Sequence, residues 1–216
     1  MIALYAHPFS SYCQKVLTAL YENETPFTLV MLDNEKAWAS LEQLWPLKRM
    51  PVLVDGSRKV IEATIIIEYL TITYPGSVDL VARDPLEALE ARTMDRFFDN
   101  YVMTPMQKIV GDSLRPSDKR DPRGVEDARS LLDRAYGWLD GVMARREWGG
   151  GSAFSLADCA AAPSLFYADW AHPIGKEFAS VHAYRRRLLA RPSFARAVDE
   201  ARPFRPLFPL GAPDRD

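Results

Sequence analysis

The chain lacks most of what stapled, membrane-spanning or metal-binding proteins are built from. Of 216 residues only two are cysteine, Cys13 and Cys159, so no disulfide framework is expected and a reducing, cytoplasmic setting is. The three histidines, His7, His172 and His182, have no metal-ligand spacing to a cysteine or to one another, so no metal is expected. No apolar run approaches the ~20 residues of a membrane helix, and no basic-then-apolar leader precedes Ile2-Ala3-Leu4-Tyr5, so neither a membrane partner nor a signal peptide is expected. The sequon Asn23-Glu24-Thr25, followed by Pro26, then has no glycosylating compartment to act in. An excess of one charge is missing as well. Lys and Arg number 27 against 29 Asp and Glu, for a net charge of −2, which speaks against a nucleic-acid partner. Gly149-Gly150-Gly151 lacks the Lys-Ser/Thr of a phosphate loop, and no nucleophile-elbow pattern supports a Ser11 hydrolase.

What is present is ordinary globular material, 48% hydrophobic and 26% charged, enough for a core without staples. The first 75 or so residues alternate strand and helix patterns. Ile2–Tyr5 and Phe27–Met31 read as strands. Cys13–Glu22 reads as a helix with Val16, Leu17, Leu20 and Tyr21 on one face, and Ala37–Leu44 as a shorter helix. Pro51–Val54 and Lys59–Ile61 flank Asp55-Gly56-Ser57, a hairpin signal, and Thr64–Leu70 returns to helix. The order βαβαββα predicts a mixed four-stranded sheet with helices packed on it. After Tyr74-Pro75-Gly76-Ser77 strand signals almost vanish. Helical patterns run over Leu86–Leu114, broken or kinked at Pro105, over Arg123–Arg146, over the small-residue stretch Ser155–Ala171, and over Phe178–Ala190 and Ser193–Ala201. The proline-rich tail Pro203–Pro213 is expected not to be helical. The expected division is an α/β domain at 1–76, a linker at 77–83 and an all-α domain at 84–216. The basic run Arg185-Arg186-Arg187, with Arg191, reads as the solvated side of a helix.

Four local patterns carry possible chemistry. His7-Pro8-Phe9-Ser10-Ser11-Tyr12-Cys13 joins the first strand to the first helix. A helix start offers free N–H groups and partial positive charge to an anion or thiolate. Either serine can cap the helix, which leaves the other for a different partner. In Arg49-Met50-Pro51-Val52, Pro51 opens a strand. A cis Met50–Pro51 bond would present the Met50 backbone as an open edge, and an ordinary strand-starting proline is the bland alternative. Glu62-Ala63-Thr64 precedes an apolar helix, where Glu62 either complements the dipole or holds an ammonium group. Ser155-Leu156-Ala157-Asp158 is a capping box with Asp in place of Glu and reads as structural.

Together, in this order and spacing, these patterns resemble the cytosolic glutathione transferase superfamily over nearly the whole chain. The resemblance implies a thioredoxin-like first domain followed by a helical bundle. Ser10 stands where the serine-type classes (zeta, tau and theta-like) carry their catalytic serine, with Ser11 the runner-up. It also stands where a glutaredoxin has the first cysteine of Cys-x-x-Cys, while Cys13 keeps the second. By the same resemblance the Met50 backbone pairs with the cysteinyl part of glutathione across a cis Pro51. Glu62 and the Ala63 N–H meet the γ-glutamyl end, and Arg49, with Lys36 more loosely aligned, lies near the glycyl carboxylate. Two departures stand out. Ala63 replaces the family's usual serine, and Trp45 and Lys48 replace asparagine and glycine around Pro46. The implied second-substrate walls are Phe9, Phe97, Phe98, Tyr101, Met103 and Tyr167, although helical spacing predicts their burial equally well.

The implied activity is conjugation of the glutathione thiolate to a small, mostly apolar electrophile, in a cytoplasmic detoxifying homodimer. A glutathione-dependent peroxidase or reductase, with Cys13 as a resolving thiol, and a non-catalytic binding protein are the alternatives. The scale is sufficient. A thiol titrates near ~8.5, and lowering that by ~2 units takes about 2.7 kcal/mol of preferential thiolate binding. One charged hydrogen bond supplies ~1.5–3 kcal/mol, and a helix N-terminus adds to it.

Overall fold

The computed structural model describes residues 2–216; Met1, the first residue of the expected 1–76 domain, lies outside the described residues. Strands β1 (Ile2–Ala6), β2 (Phe27–Met31), β3 (Val52–Asp55) and β4 (Arg58–Ile61) alternate with helices α1 (Ser11–Glu22), α2 (Glu35–Leu44) and α3 (Ala63–Thr73) in the βαβαββα order. The sheet order is β2-β1-β3-β4, with β1 parallel to β2 and the other neighbours antiparallel. The parallel pair requires a crossover, which α1 supplies. The β3–β4 hairpin closes over Gly56-Ser57, where Gly56 at φ +58 makes the left-handed first position of a two-residue turn.

Helices α4 (Pro85–Phe97), α5 (Thr104–Ser113), α6 (Pro122–Met143), α7 (Leu156–Ala171), α8 (Ala179–Leu189) and α9 (Pro192–Ala201) form the second half. The break expected at Pro105 takes another form: a π-helical turn, Phe98–Met103, joins α4 to α5 without leaving helical dihedrals. Pro105 has no N–H to give to the carbonyl four residues back, and the widened turn before it absorbs the mismatch. The Asp99 carbonyl accepts from the Thr104 N–H, the five-back bond of the π-turn, and from the Thr104 hydroxyl at 2.9 Å. The tail also differs from expectation. Arg202–Leu207 forms a 3₁₀ turn, because Pro203 sits where a helix start needs no N–H.

The two halves share one hydrophobic core, and α7 runs through its middle, buried from Leu156 to Trp170. Its capping box is made: the Asp158 carboxylate accepts from the Ser155 N–H at 2.8 Å and also from the Gly149 N–H at 2.7 Å. The surprise is α1. Expected to be one-sided, it is buried from Cys13 to Leu20, polar Gln14, Lys15 and Thr18 included, because α3 packs on one side and α7 and α9 on the other. The basic run also departs from a solvated face. Arg185 is buried and pairs with Asp169 at 3.4 Å, while Arg191 bonds Glu22 and lies over the Phe154 ring.

Lys15, 1% exposed, ties the halves together. Its ammonium lies 2.5 Å from Asp95 and 3.0 Å from Asp99, and donates to the Thr64 hydroxyl at 2.9 Å. Removing one member of a buried ion cluster leaves uncompensated charge, which costs about 3–5 kcal/mol. Lys15→Met is therefore expected to lower the urea midpoint by that equivalent. An unchanged midpoint would mean that Asp95 and Asp99 are not held by this ammonium.

Candidate functional site

Ser10 is the N-cap of α1. Its backbone is extended, and its Oγ accepts from the Cys13 N–H at 3.4 Å. That bond uses an oxygen lone pair and leaves the hydroxyl proton for another acceptor, so capping and donating do not compete. The loop that carries Ser10 is pinned from both halves. The Tyr167 hydroxyl donates to the Phe9 carbonyl at 3.0 Å. Gln14 Nε2 donates to the Pro8 carbonyl at 3.0 Å and to the Tyr167 oxygen at 3.1 Å. Ser11, in the first turn, is buried.

Ser10 opens onto a cleft of about 590 Å³ between the two halves. From the first half come Tyr12, Trp38, Trp45, Lys48 and Arg49, the Met50–Pro51 pair, and Glu62 with Ala63; from the second come Arg96, Asp99, Asn100 and Gln107. Met50–Pro51 is cis. Glu62, at φ +69 without a side-chain capping bond, holds a conformation that non-glycine residues rarely adopt and that clusters at ligand sites. The cleft does not include Lys36. Ala37 and Leu41 turn the core face of α2 inward, and Trp38 borders the cleft. Lys36, two residues from Trp38, is roughly 200° around the helix and exposed. Lys48, which pairs with Glu42 at 2.7 Å, lines the cleft instead.

Burial dominates the titrating groups here. It pushes the Tyr12 phenol up to about 12, with the negative Asp99 adding to the shift, so Tyr12 is a neutral hydroxyl. It pushes the Cys13 thiol up to about 11, against a side-chain hydrogen bond with Ser10 and a backbone one with His7. Asp99 is likewise raised by burial, with Lys15 pulling the other way.

A second recess of about 370 Å³ meets the cleft at Ser10 and Gln107. Phe9 and Tyr167, in edge contact at 5.4 Å, line it with Ser11, Met106, Val110 and Phe208. The other aromatic candidates lie elsewhere. Phe98 is 0% exposed and packs in the core, as does Met103. Phe97 and Tyr101 line an outer groove with Trp138, whose ring is 4.5 Å from that of Phe97; this groove meets the cleft at Arg96 and Asn100, on the side away from Ser10. The helix pattern placed all of these on plausible faces, but the π-turn changes the register after Phe97. Tyr12, Trp38, Lys48, Arg96, Met106 and Phe208 were not singled out as site residues. Met106 and Val110, four apart beyond Pro105, carried the one usable signal. Among the described residues no cluster of three or more His, Cys, Asp or Glu could hold a metal.

Comparison with known proteins agrees with this architecture. Family models for the glutathione S-transferase N-terminal domain and C-terminal domain match residues 4–78 and 122–190. The chain is 29% identical over 204 residues to FtsZ-localized protein A of Caulobacter vibrioides, covering 88% of each. It is 24% identical over 203 residues to the stringent starvation protein A homolog of Coxiella burnetii, covering 93% of each. A solved glutathione S-transferase from Methylobacterium radiotolerans, in complex with glutathione sulfonate, superposes with a TM-score of 0.78 at 25% identity, over 91% of this chain and 94% of that one. With both halves matched in order around one interdomain cleft, the chain belongs to the glutathione S-transferase superfamily.

Proposed function

We propose that the chain is a glutathione transferase that binds glutathione in the interdomain cleft and joins its thiolate to a small, mostly apolar electrophile held in the adjoining recess. The position of Ser10 carries this reading. It is the one serine that borders both compartments, and it sits at the N-terminus of α1 with a proton to donate. Ser10 acts as donor to the glutathione sulfur and is not itself the nucleophile. The Met50 backbone beside cis Pro51 takes the cysteinyl part, Glu62 and the Ala63 N–H the γ-glutamyl end, and Arg49 the glycyl carboxylate. Bringing sulfur and electrophile together at the junction supplies much of the remaining acceleration. Phe9 and Tyr167 form part of the electrophile's wall.

Cys13 offers no resolving thiol to a reductase mechanism, since it is fully buried and its thiol is protonated at neutral pH. A binding protein on the same fold is the second reading. Two relatives are named for FtsZ localisation and stringent starvation rather than for transfer, and Ala63 offers no side-chain donor. We read the protein as cytoplasmic, consistent with two unpaired, buried cysteines, and, as a transferase of small electrophiles, as detoxifying. We also read it as a homodimer, whose contact would cover exposed apolar side chains of α3 and α4 such as Ile72, 79% exposed, and Leu86, 76% exposed.

Three measurements test this. Following thiolate absorbance of bound glutathione against pH, Ser10→Ala is expected to raise the sulfur's pKa by ~1–2 units. It should also lower conjugation about 10- to 100-fold, with affinity within a few-fold. If Ser11→Ala does this instead, the donor assignment moves by one residue. Calorimetric titration of the folded protein with glutathione separates the two readings: no binding would sink the transferase. Cys13 is expected to resist alkylation in the folded protein at pH 8, and modification at the rate of a free thiol would reopen the reductase mechanism.

A further inference from the structure

Arg96 is held in the cleft with one edge occupied and the other open. Its Nε donates to Asp95 at 2.9 Å. Its Nη2 donates to Asp95 at 2.6 Å, to Asp99 at 2.6 Å and to the Thr64 hydroxyl at 2.5 Å. Nη1 has no partner among the described residues, and the side chain is 51% exposed. A guanidinium fixed in this way keeps two N–H donors pointing away from the acids that anchor it.

Arg96, which borders the cleft and the outer groove, also lines a recess of about 290 Å³ at one end of the cleft, with Tyr12, Glu62, Ala63, Thr64 and Asp99. Its charged groups are two carboxylates and one guanidinium, the complement of an α-amino acid head: ammonium toward Glu62 and Asp99, carboxylate toward Arg96. Other side-chain donors are scarce. Ala63, at the start of α3, presents only a methyl group. The Thr64 hydroxyl already donates to Asp95 at 2.9 Å while accepting from Lys15 and Arg96. The neutral Tyr12 phenol is the remaining donor.

We propose that Arg96 determines specificity for the γ-glutamyl head, by giving its α-carboxylate the charged side-chain donor that Ala63 cannot provide. This rests on the reading of the cleft as a glutathione site. The buried cluster of Lys15, Asp95, Asp99 and Thr64 holds the guanidinium in place before ligand arrives, so little freedom is lost on binding. Arg96 thereby links the interdomain cluster to the ligand.

The test compares three ligands by calorimetry. They are glutathione, its 4-aminobutyryl analogue, which lacks only the α-carboxylate, and its glutaryl analogue, which lacks only the α-amino group. The wild-type chain is expected to prefer glutathione over the 4-aminobutyryl analogue by about 10- to 100-fold, the scale of a charged hydrogen bond. Arg96→Gln is expected to reduce that preference to within a few-fold and to leave the penalty for losing the amino group unchanged. Arg96→Lys, which keeps a charge beside Asp95 and Asp99, should fall between them and guards against a folding defect. Adding Ala63→Ser to Arg96→Gln should restore part of the preference. A merely structural arginine would weaken all three ligands alike, so a preference that survives Arg96→Gln overturns the proposal. If the folded wild type binds none of the three, the glutathione reading of the cleft fails and the role of Arg96 falls with it.

Discussion

A lysine ammonium buried between two aspartates organises this molecule. Burying an isolated charge is prohibitive, and even a buried pair often only breaks even. Lys15 is tolerated because Asp95, Asp99 and the Thr64 hydroxyl surround it and Arg96 balances the second carboxylate. Its partners lie on α3, on α4 and in the π-turn, so satisfying this one charge fixes the distance between the domains. The cleft is the space left beside that junction, and Arg96 and Asp99 are both part of the cluster and part of its wall. Stability and cleft geometry are therefore coupled through the same five side chains.

Position is the second theme. Ser10 is ordinary as a residue and unusual in where it stands. The Tyr167 hydroxyl and the Gln14 amide, one on each side of the domain junction, grip the carbonyls of Phe9 and Pro8 and so aim the loop. A donor on a pinned loop at a helix start loses little freedom when it meets a charged acceptor. The polar cleft and the apolar recess meet at this point, so a polar and an apolar partner can be brought together without either leaving its preferred surroundings.

Much of the fold was legible because it rests on local rules. Period-two and period-3.6 patterns give the βαβαββα order, Gly56 marks the hairpin, and Ser155 with Asp158 declares its helix start. What was illegible depends on the second layer of contacts. Gln14, Lys15 and Thr18 look like the wet side of α1 until α7 and α9 cover them. Arg185 looks solvated until Asp169 is placed beside it. In the site, the serine, the cis proline and Glu62 follow from spacing and resemblance. Lys36 failed because a shift of two residues on a helix faces the opposite way. Phe98 failed because an aromatic at helical spacing is buried as readily as it lines a pocket.

The π-helical turn carries one more residue than an α-turn would, which offsets everything beyond it by roughly 100° around the axis. Met106, Gln107 and Val110 reach the apolar recess beside Ser10 because of that offset. Losing a single residue between Phe98 and Met103 would swing this wall away and bring a different set of side chains to the recess, while α4, the sheet and the Ser10 loop stayed where they are. A one-residue change in chain length at this turn is thus a route by which relatives of this protein can diverge in what they accept without rebuilding anything else.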